Sequence, residues 1–217
     1  GGEIVNYTFY YNGPTINIDL VKPQDEPRSF NDLLAPRWKG KMLSPTPASG
    51  ATTFYYHLRY HKVLDLDYFR RLAQQDIKFW AGSSREAVNM VARGEYPILL
   101  AATTDSLAPI VAEGAPLKIL TPEEGNAGSP GGSTLVVKGA PHPNAARVFV
   151  NWLLSPEGQL AYAESASSAG IRKDVPDFTH PRLRIQPKKV WLVTWESTEW
   201  TSKDIAAKTM EQIFGTR

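Results

Sequence analysis

The chain has 217 residues, with 24 lysines and arginines against 22 aspartates and glutamates, which gives a formal net charge of +2. This near balance argues against a concentrated basic face that could grip phosphates, so no nucleic-acid partner is expected. Hydrophobic residues make up 42% of the chain, enough to bury a core. Cysteine is absent, which excludes disulfides, thiolate metal sites and cysteine nucleophiles.

The chain opens with β-branched and aromatic residues. Residues 4–11 predict a strand, and the turn-forming residues 12–14 are expected to end it. A second short strand or a turn is expected at 16–21. Ser29 is placed to cap a short helix that Pro36 ends.

Strand-like and helix-like segments then alternate, and two apolar patterns support this reading. Four-residue and three-residue spacing of apolar side chains indicates helices, whereas a continuous apolar run indicates a strand buried on both faces. The expected elements, in chain order, are a small-residue loop at 44–53 that residues 41–43 lead into, a helix at 66–74, a strand at 77–80, a helix at 85–93, a strand at 96–102 and an apolar segment through 112.

The second half of the chain is more broken by glycine and proline. The expected elements are a strand at 117–120, a long loop at 121–132, a strand at 133–137, helices at 145–154 and 156–164, an irregular stretch at 170–187 and an amphipathic helix at 202–214. The helix at 145–154 is expected to direct four apolar side chains inward, those of Val148, Phe149, Trp152 and Leu153.

This alternation predicts an α/β sheet with helices on both faces, in which ligands collect at the carboxyl ends of strands. Three loop-to-helix junctions offer hydroxyl groups and unpaired N–H groups at the positive end of a helix, which suits an anion. The same residue types also serve as simple caps, which is the alternative. The candidate ligand-binding residues are Ser49, Gly50, Ala51, Thr52, Ser83, Ser84, Thr103, Thr104 and Asp105, with Tyr11 and Trp80 as an aromatic wall.

Histidines and acids give weaker signals of chemistry. His57 and His61 stand four residues apart on a probable helix, but no glutamate follows His57, so the metalloprotease pattern is not met. No P-loop, nucleophile elbow or dinucleotide fingerprint is present in the sequence. Asp105 is placed either to meet a cationic ligand group or to cap the following helix. No metal, cofactor or catalytic residue is therefore expected.

Several short motifs together resemble one family, the extracellular solute-binding proteins of bacterial ABC importers, in the ferric-iron-binding-like group of type 2 periplasmic binding proteins. The Lys-Gly-Ala-Pro and Leu-Ser-Pro-Glu-Gly-Gln runs are the most distinctive. The motifs that carry the resemblance lie at residues 38–41, 49–50, 91–95, 112–116, 137–143 and 154–159.

The resemblance implies a fold of two α/β lobes, with mixed sheets flanked by helices, that close on a solute held between them. Residues 1–11 would form the first crossing strand, and residues 12–133 lobe two. Residues 134–185 would return to lobe one, and 186–217 would hold a terminal helix docking back on lobe two. The family's opening segment has no counterpart here, so lobe one is expected to be incomplete.

The resemblance also implies a function. Ferric binders of the family carry adjacent tyrosines after the strand equivalent to 98–102, where this chain has Thr103-Thr104-Asp105. A small organic or oxyanion solute is therefore expected, captured without turnover in the periplasm and delivered to the membrane permease subunits. The alternatives are a metal carrier with other ligands, an enzyme using Asp105 as acid or base, and a ligand-sensing domain. A dimer or strand swap is expected if the chain is truncated.

Overall fold

The computed structural model describes residues 4–47, 55, 58, 59, 61–185, 190–192 and 200–215, with the backbone alone at 200–206. The helices are α1 (Leu66–Ala73), α2 (Ser84–Ala92), α3 (Thr104–Ala112), α4 (Pro143–Leu154), α5 (Pro156–Ser165) and α6 (Trp200–Phe214). The strands are β1 (Val5–Asn17), β2 (Met42–Pro45), β3 (Lys78–Trp80), β4 (Ile98–Thr103), β5 (Leu117–Ile119), β6 (Asn126–Thr134) and β7 (Val190–Leu192). Within this part of the chain, no helix is long and apolar enough to cross a membrane.

The strands form one mixed sheet in the order β3-β2-β4-β1-β6-β7, with β5 paired to β1. Strands β2, β3 and β4 run parallel to each other, while β1 runs antiparallel to β4, β5 and β6. Helices cover both faces and create two apolar cores. One core includes Phe30, Tyr55, Phe69 and Met210, and the other includes Leu43, Val88, Leu107 and Leu183. The predicted α/β architecture is confirmed.

The expected turn at residues 12–14 is wrong, because β1 continues through them to Asn17. The register between β1 and β4 shifts between Gly13 and Thr15, so a β-bulge absorbs the irregular backbone that the Gly-Pro pair imposes. Of the two alternatives for 16–21, a separate strand is wrong, since Ile16 and Asn17 already belong to β1, whereas residues 18–20 form a turn. The helix after Ser29 is a 3₁₀ turn, Asn31–Leu34.

The expected loop at 121–132 is also wrong, because β6 begins at Asn126. Its glycines lie under the aromatic rings of β1, and a Cβ atom at Gly131 or Gly132 would collide with the ring of Tyr10 or Tyr7. The composition of these residues alone predicts a loop, but their fit against the rings of the neighbouring strand allows them to form a strand. The strand expected at 133–137 ends at Thr134.

On the N-terminal side of Tyr11, β1 pairs with β6 alone among the described residues. Residues 5–10 and 129–134 therefore form a two-stranded ribbon that leads from the sheet to α4 and α5. The side chain of buried Gln159 on α5 anchors this ribbon. Its Nε2 atom donates to the carbonyl groups of Tyr7 (3.1 Å) and Leu153 (3.0 Å), and its Oε1 atom accepts from the amide of Ile171 (2.8 Å). The final residue of the Leu-Ser-Pro-Glu-Gly-Gln motif therefore joins four segments.

The inward face expected for α4 is wrong for three of its four residues. Leu153 is buried, but Val148, Phe149 and Trp152 are 69%, 56% and 41% exposed. No described element packs against this side of α4, so its apolar side chains meet water. Leu135, Val137 and Leu160 are exposed in the same region of the chain.

Helix α6 packs against α1, and Met210 is buried there. The ring of Phe214 lies 5.4 Å from that of Tyr55 and 5.1 Å from that of Phe79. The expected amphipathic helix at 202–214 is present, and it completes the core on the α1 side of the sheet.

Candidate functional site

Because β2, β3 and β4 are parallel neighbours, their carboxyl ends share one edge of the sheet. We call this the strand-end edge, defined by Pro45, Trp80 and Thr103. Adjacent strands lie about 4.8 Å apart, which separates the ends of β3 and β4 by roughly 10 Å. The three predicted loop-to-helix junctions therefore begin at one edge, as the alternating pattern indicates.

The first junction, with Ser49, Gly50, Ala51 and Thr52, lies outside the described residues. The residues that flank it can be placed. The Thr46 amide donates to the Trp80 carbonyl (3.1 Å), and the hydroxyl groups of Ser44 and Tyr55 lie 2.8 Å apart. Thr46 and Tyr55, which lie on either side of the junction in the sequence, are therefore both near the end of β2.

At the second junction, the side chains of Ser83 and Glu86 form hydrogen bonds within the junction itself. Ser83 caps α2 by accepting from the Glu86 amide, and the Glu86 carboxylate accepts from the Ser83 amide (2.9 Å) and hydroxyl (3.0 Å). These bonds hold the pKa of the Glu86 carboxyl below its usual range. Ser83 and Ser84 are exposed, and the hydrogen bonds fit the alternative that this junction serves only as a helix cap.

Trp80 stands at the other side of this junction. It lines an open concavity of about 350 Å³ along one face of α2, together with Glu86, Asn89, Met90, Arg93 and Glu95. Arg93 pairs there with Glu95 at 2.6 Å. The Trp80 indole therefore borders both the strand-end edge and the outer surface of α2.

The third junction differs from the second, because the side chain of the N-cap residue Thr103 does not cap α3. The Thr103 hydroxyl donates to the Ser106 hydroxyl (3.1 Å), which donates to the Thr103 carbonyl (2.7 Å). The Thr104 hydroxyl accepts from the Tyr11 amide of β1 (3.1 Å). These hydroxyls therefore bond to one another and to β1, and no side chain of the described chain accepts from the first-turn amides of α3.

The Tyr11 amide thus places β1 beside the third junction. The Tyr11 side chain is half-buried, and burial together with the nearby Asp177 carboxylate raises the pKa of its hydroxyl. Asp177 is a residue that the sequence reasoning missed, since it lies in an irregular stretch far along the chain. Its carboxylate is 3.9 Å from Arg184 and accepts from the Thr179 amide. Asp105 is exposed on the first turn of α3.

Asn12 is the second residue that the sequence reasoning missed, because its triplet predicts a turn. In the β1–β4 ladder it stands directly opposite Thr103. It is only 6% exposed, and its Oδ1 atom accepts no hydrogen bond within the described chain. It is one of seven buried side-chain polar atoms of the described residues that lack a partner, so it does not by itself mark a site.

The histidine pair gives no metal site that can be described. His57 lies outside the described residues, and His61 contacts the Leu192 carbonyl at 3.2 Å and stacks on Trp191 at 5.7 Å. The residues that the structure describes contain no cluster of three or more histidine or acidic side chains suited to a metal ion.

An open α/β sheet crossed by a two-stranded ribbon, with polar helix starts at one edge, is the architecture of a periplasmic binding protein lobe. A family model for bacterial extracellular solute-binding proteins matches residues 1–187. The chain therefore belongs to the bacterial extracellular solute-binding protein family, and the resemblance seen in its motifs is confirmed.

One relative and several solved structures are similar to this chain. An uncharacterized protein of Haemophilus influenzae is 30% identical over 177 residues, which is 80% of this chain and 50% of the relative. The substrate-binding protein of an ABC transporter from Agrobacterium tumefaciens is 12% identical, with a TM-score of 0.77 over 97% of this chain and 66% of its own.

Two further structures were solved with ligands. A Trichodesmium protein (IdiA, FutA), in complex with iron and citrate, is 18% identical, with a TM-score of 0.71 over 97% of this chain and 69% of its own. The periplasmic binding protein AfuA of Actinobacillus pleuropneumoniae, with fructose-6-phosphate bound, is 21% identical, with a TM-score of 0.62 over 98% of this chain and 66% of its own. The chain thus spans half of the curated relative and about two thirds of these structures, consistent with an incomplete first lobe.

Proposed function

We propose that this protein captures a small organic or oxyanion solute in the periplasm and delivers it to the permease subunits of an ABC importer. One observation carries the proposal: the carboxyl ends of three parallel strands meet at one edge, where the N-terminus of α3 has no side-chain cap and adjoins Tyr11. Such an edge is where ligands bind in open α/β sheets. Membership of the solute-binding family supports the same conclusion.

In this proposal the sheet and its helices, residues 12–133 with 186–217, form the lobe that carries the strand-end edge. Residues 1–11 form the first crossing, and 134–185 belong to the opposing lobe. The ribbon of β1 and β6 supports this division, because it joins the sheet to α4 and α5. The solute would lie between the strand-end edge and the opposing lobe, against Tyr11, Trp80, Thr103, Thr104, Asp105 and the junction at 49–52.

A ferric-ion carrier is the second candidate, motivated by the iron and citrate in the Trichodesmium structure. The residues at the third junction disfavour direct chelation of iron, because Thr103 and Thr104 supply neutral hydroxyls that already bond to Ser106 and Tyr11. Hard cations prefer charged oxygen ligands. Among residues 103–106, Asp105 is the one that supplies such a ligand.

The test is a thermal-shift screen on the purified protein with phosphate, citrate, ferric citrate, fructose and fructose 6-phosphate. A solute that binds the folded state is expected to stabilise it by about 2.7 kcal/mol at 100 times its Kd. The variant Asp105→Asn is expected to change the affinity for that solute without creating or abolishing turnover. Asp19→Asn is the matched control, since Asp19 is exposed beyond the opposite end of β1.

Two results would overturn the proposal. One is the absence of stabilisation by any solute of the screen and its chemical relatives. The other is conversion of a solute to product that the Asp105→Asn variant abolishes, which would make the protein an enzyme.

A further inference from the structure

The concavity along α2 has the size and shape of a small-molecule site. Its volume of about 350 Å³ lies within the range of such sites. Glu86, Asn89 and Arg93 follow each other at spacings of three and four residues, so they occupy one side of the helix. Seven helical residues rise about 10 Å, which makes the concavity elongated. Its other wall is Trp80, on the outermost described strand at that side of the sheet.

An indole and a carboxylate meet at one end of this concavity. A Cβ atom at Gly82 would collide with both the Trp80 Nε1 atom and the Glu86 Oε2 atom. The two groups therefore lie side by side over Gly82, and a residue without a side chain leaves them this room. The close approach of Trp80 and Glu86 explains why glycine stands at this position.

Glu86 supplies a fixed negative charge at that end. Its Oε2 atom accepts from the amide (2.9 Å) and the hydroxyl (3.0 Å) of Ser83, and these bonds hold the pKa of the carboxyl below its usual range. No described lysine or arginine forms an ion pair with Glu86, whereas Glu95 is paired with Arg93 at 2.6 Å. The concavity therefore carries an unpaired negative charge beside an aromatic ring.

This pair of groups suits a planar organic cation. A guanidinium group stacks on an aromatic ring and donates two parallel hydrogen bonds to a carboxylate. A hard metal ion needs several oxygen ligands, and the Trp80 end offers it one carboxylate. An anion is repelled, because the Glu86 carboxylate already accepts from the start of α2.

We propose that the concavity binds an alkylguanidinium ion, with its cationic group between the Trp80 indole and the Glu86 carboxylate and its alkyl chain along Met90. The inference does not rest on the proposed solute capture, because the concavity follows the outer side of α2. The same group can come from free arginine or from an arginine side chain of another protein. Arg93 and Glu95 at the far end can pair with the α-carboxylate and α-ammonium groups of the free amino acid alone.

The first experiment titrates the unaltered protein with N-acetylarginine amide and follows it by NMR. N-acetylcitrulline amide is the control, because its neutral urea group has nearly the same shape. The charged probe is expected to shift the indole N–H signal of Trp80 and the backbone amides of Asn89 and Met90. The neutral probe is expected to bind at least about fivefold more weakly. Equal binding of both probes, or no shift at about 50 mM, far above a millimolar Kd, would overturn the inference.

Variants then assign the contact. Glu86→Gln removes the charge but keeps an acceptor for the Ser83 amide, so N-acetylarginine amide is expected to bind about fivefold more weakly to a helix that is still capped. Trp80→Leu removes the ring and is expected to weaken binding about threefold. Glu157→Gln is the matched control, since Glu157 is an exposed first-turn glutamate of a helix that Ser155 caps. Equal affinity of the Glu86→Gln and Glu157→Gln variants would contradict the assignment.

A comparison of free arginine with N-acetylarginine amide identifies the source of the guanidinium. Tighter binding of free arginine indicates a free solute, whereas equal or tighter binding of the blocked form indicates a side chain of another protein. Either result upholds the site, and binding of both no tighter than N-acetylcitrulline amide rejects it. Phosphate, citrate and fructose 6-phosphate carry no guanidinium, so the solute screen and this titration can fail independently.

Discussion

The hydrogen bond that His180 accepts depends on pH. Its Nδ1 atom accepts from the Arg182 amide (3.2 Å), which requires that nitrogen to be unprotonated. Partial burial and the charges of Arg182 and Arg184 lower the pKa of the imidazole. The folded state therefore favours the neutral ring.

The free energy of unfolding is expected to fall as the pH drops below about 6.5, because the unfolded His180 takes up a proton before the folded one does. The loss should continue until the pH passes the lowered pKa of the folded state. Urea unfolding from pH 7.5 to 5 measures the slope. His180→Asn retains an acceptor for the Arg182 amide without a titrating ring, so it should flatten the slope. An unchanged slope in that variant would contradict the assignment.

At the scale of elements, Gln159 joins α5 to the ribbon, to the end of α4 and to the segment that follows α5. Gly158, its neighbour, packs so closely on the Trp152 carbonyl that a Cβ atom there would collide with it. The motif 154–159 is thus explained by packing of α4, α5 and the ribbon, and none of its contacts involves the strand-end edge.

Replacing Gln159 with Leu is expected to lower the free energy of unfolding by about 3 kcal/mol, because it leaves two carbonyl groups and one amide without their partner. Solute affinity at the strand-end edge should change little in the protein that remains folded. Urea denaturation gives the stability, and Gln24→Leu is the control at an exposed position. A loss below about 1 kcal/mol would show that water replaces these bonds.

The sequence predicts local elements well where one short pattern decides them. Ser83 followed three residues later by Glu86 predicts a capped helix, and the structure contains that cap. Prediction from the sequence fails where the contact that decides the local structure comes from a residue far away along the chain. Residues 128–132 are mainly glycine and proline, and only the rings of β1, more than a hundred residues earlier, make them a strand. The sequence does not predict that Asn12 is a buried strand residue, because the sheet register, and not a local pattern, places it opposite Thr103.

For the whole molecule, the most consequential feature is the exposed apolar side of α4. Val148, Phe149 and Trp152 together offer a surface of the kind that normally marks a contact. The solved relatives have additional chain, about a third of their length, with no counterpart here. The described residues leave this side of α4 uncovered, so a second copy of the chain can pack on it.

The chain is therefore expected to self-associate in a concentration-dependent manner, by dimerisation or strand exchange, and to bind the dye ANS. Light scattering measures the association. The double variant Val148→Ser and Phe149→Ser should remain monomeric with little loss of stability, because both side chains are mostly in water. Leu20→Ser, at another exposed apolar residue, is the control and should still associate. A monodisperse monomer of the unaltered chain would contradict the expectation.

The ribbon of β1 and β6 also limits how the two parts of the molecule can move. Two hydrogen-bonded strands resist stretching and shear, but a ribbon without third-strand support twists more readily than a full sheet. The rings of Tyr7 and Tyr10 fill the space above Gly132 and Gly131, so side chains larger than glycine there would have to displace these rings. We therefore expect rotation about the ribbon's long axis to be the easiest motion between the sheet and the helices α4 and α5.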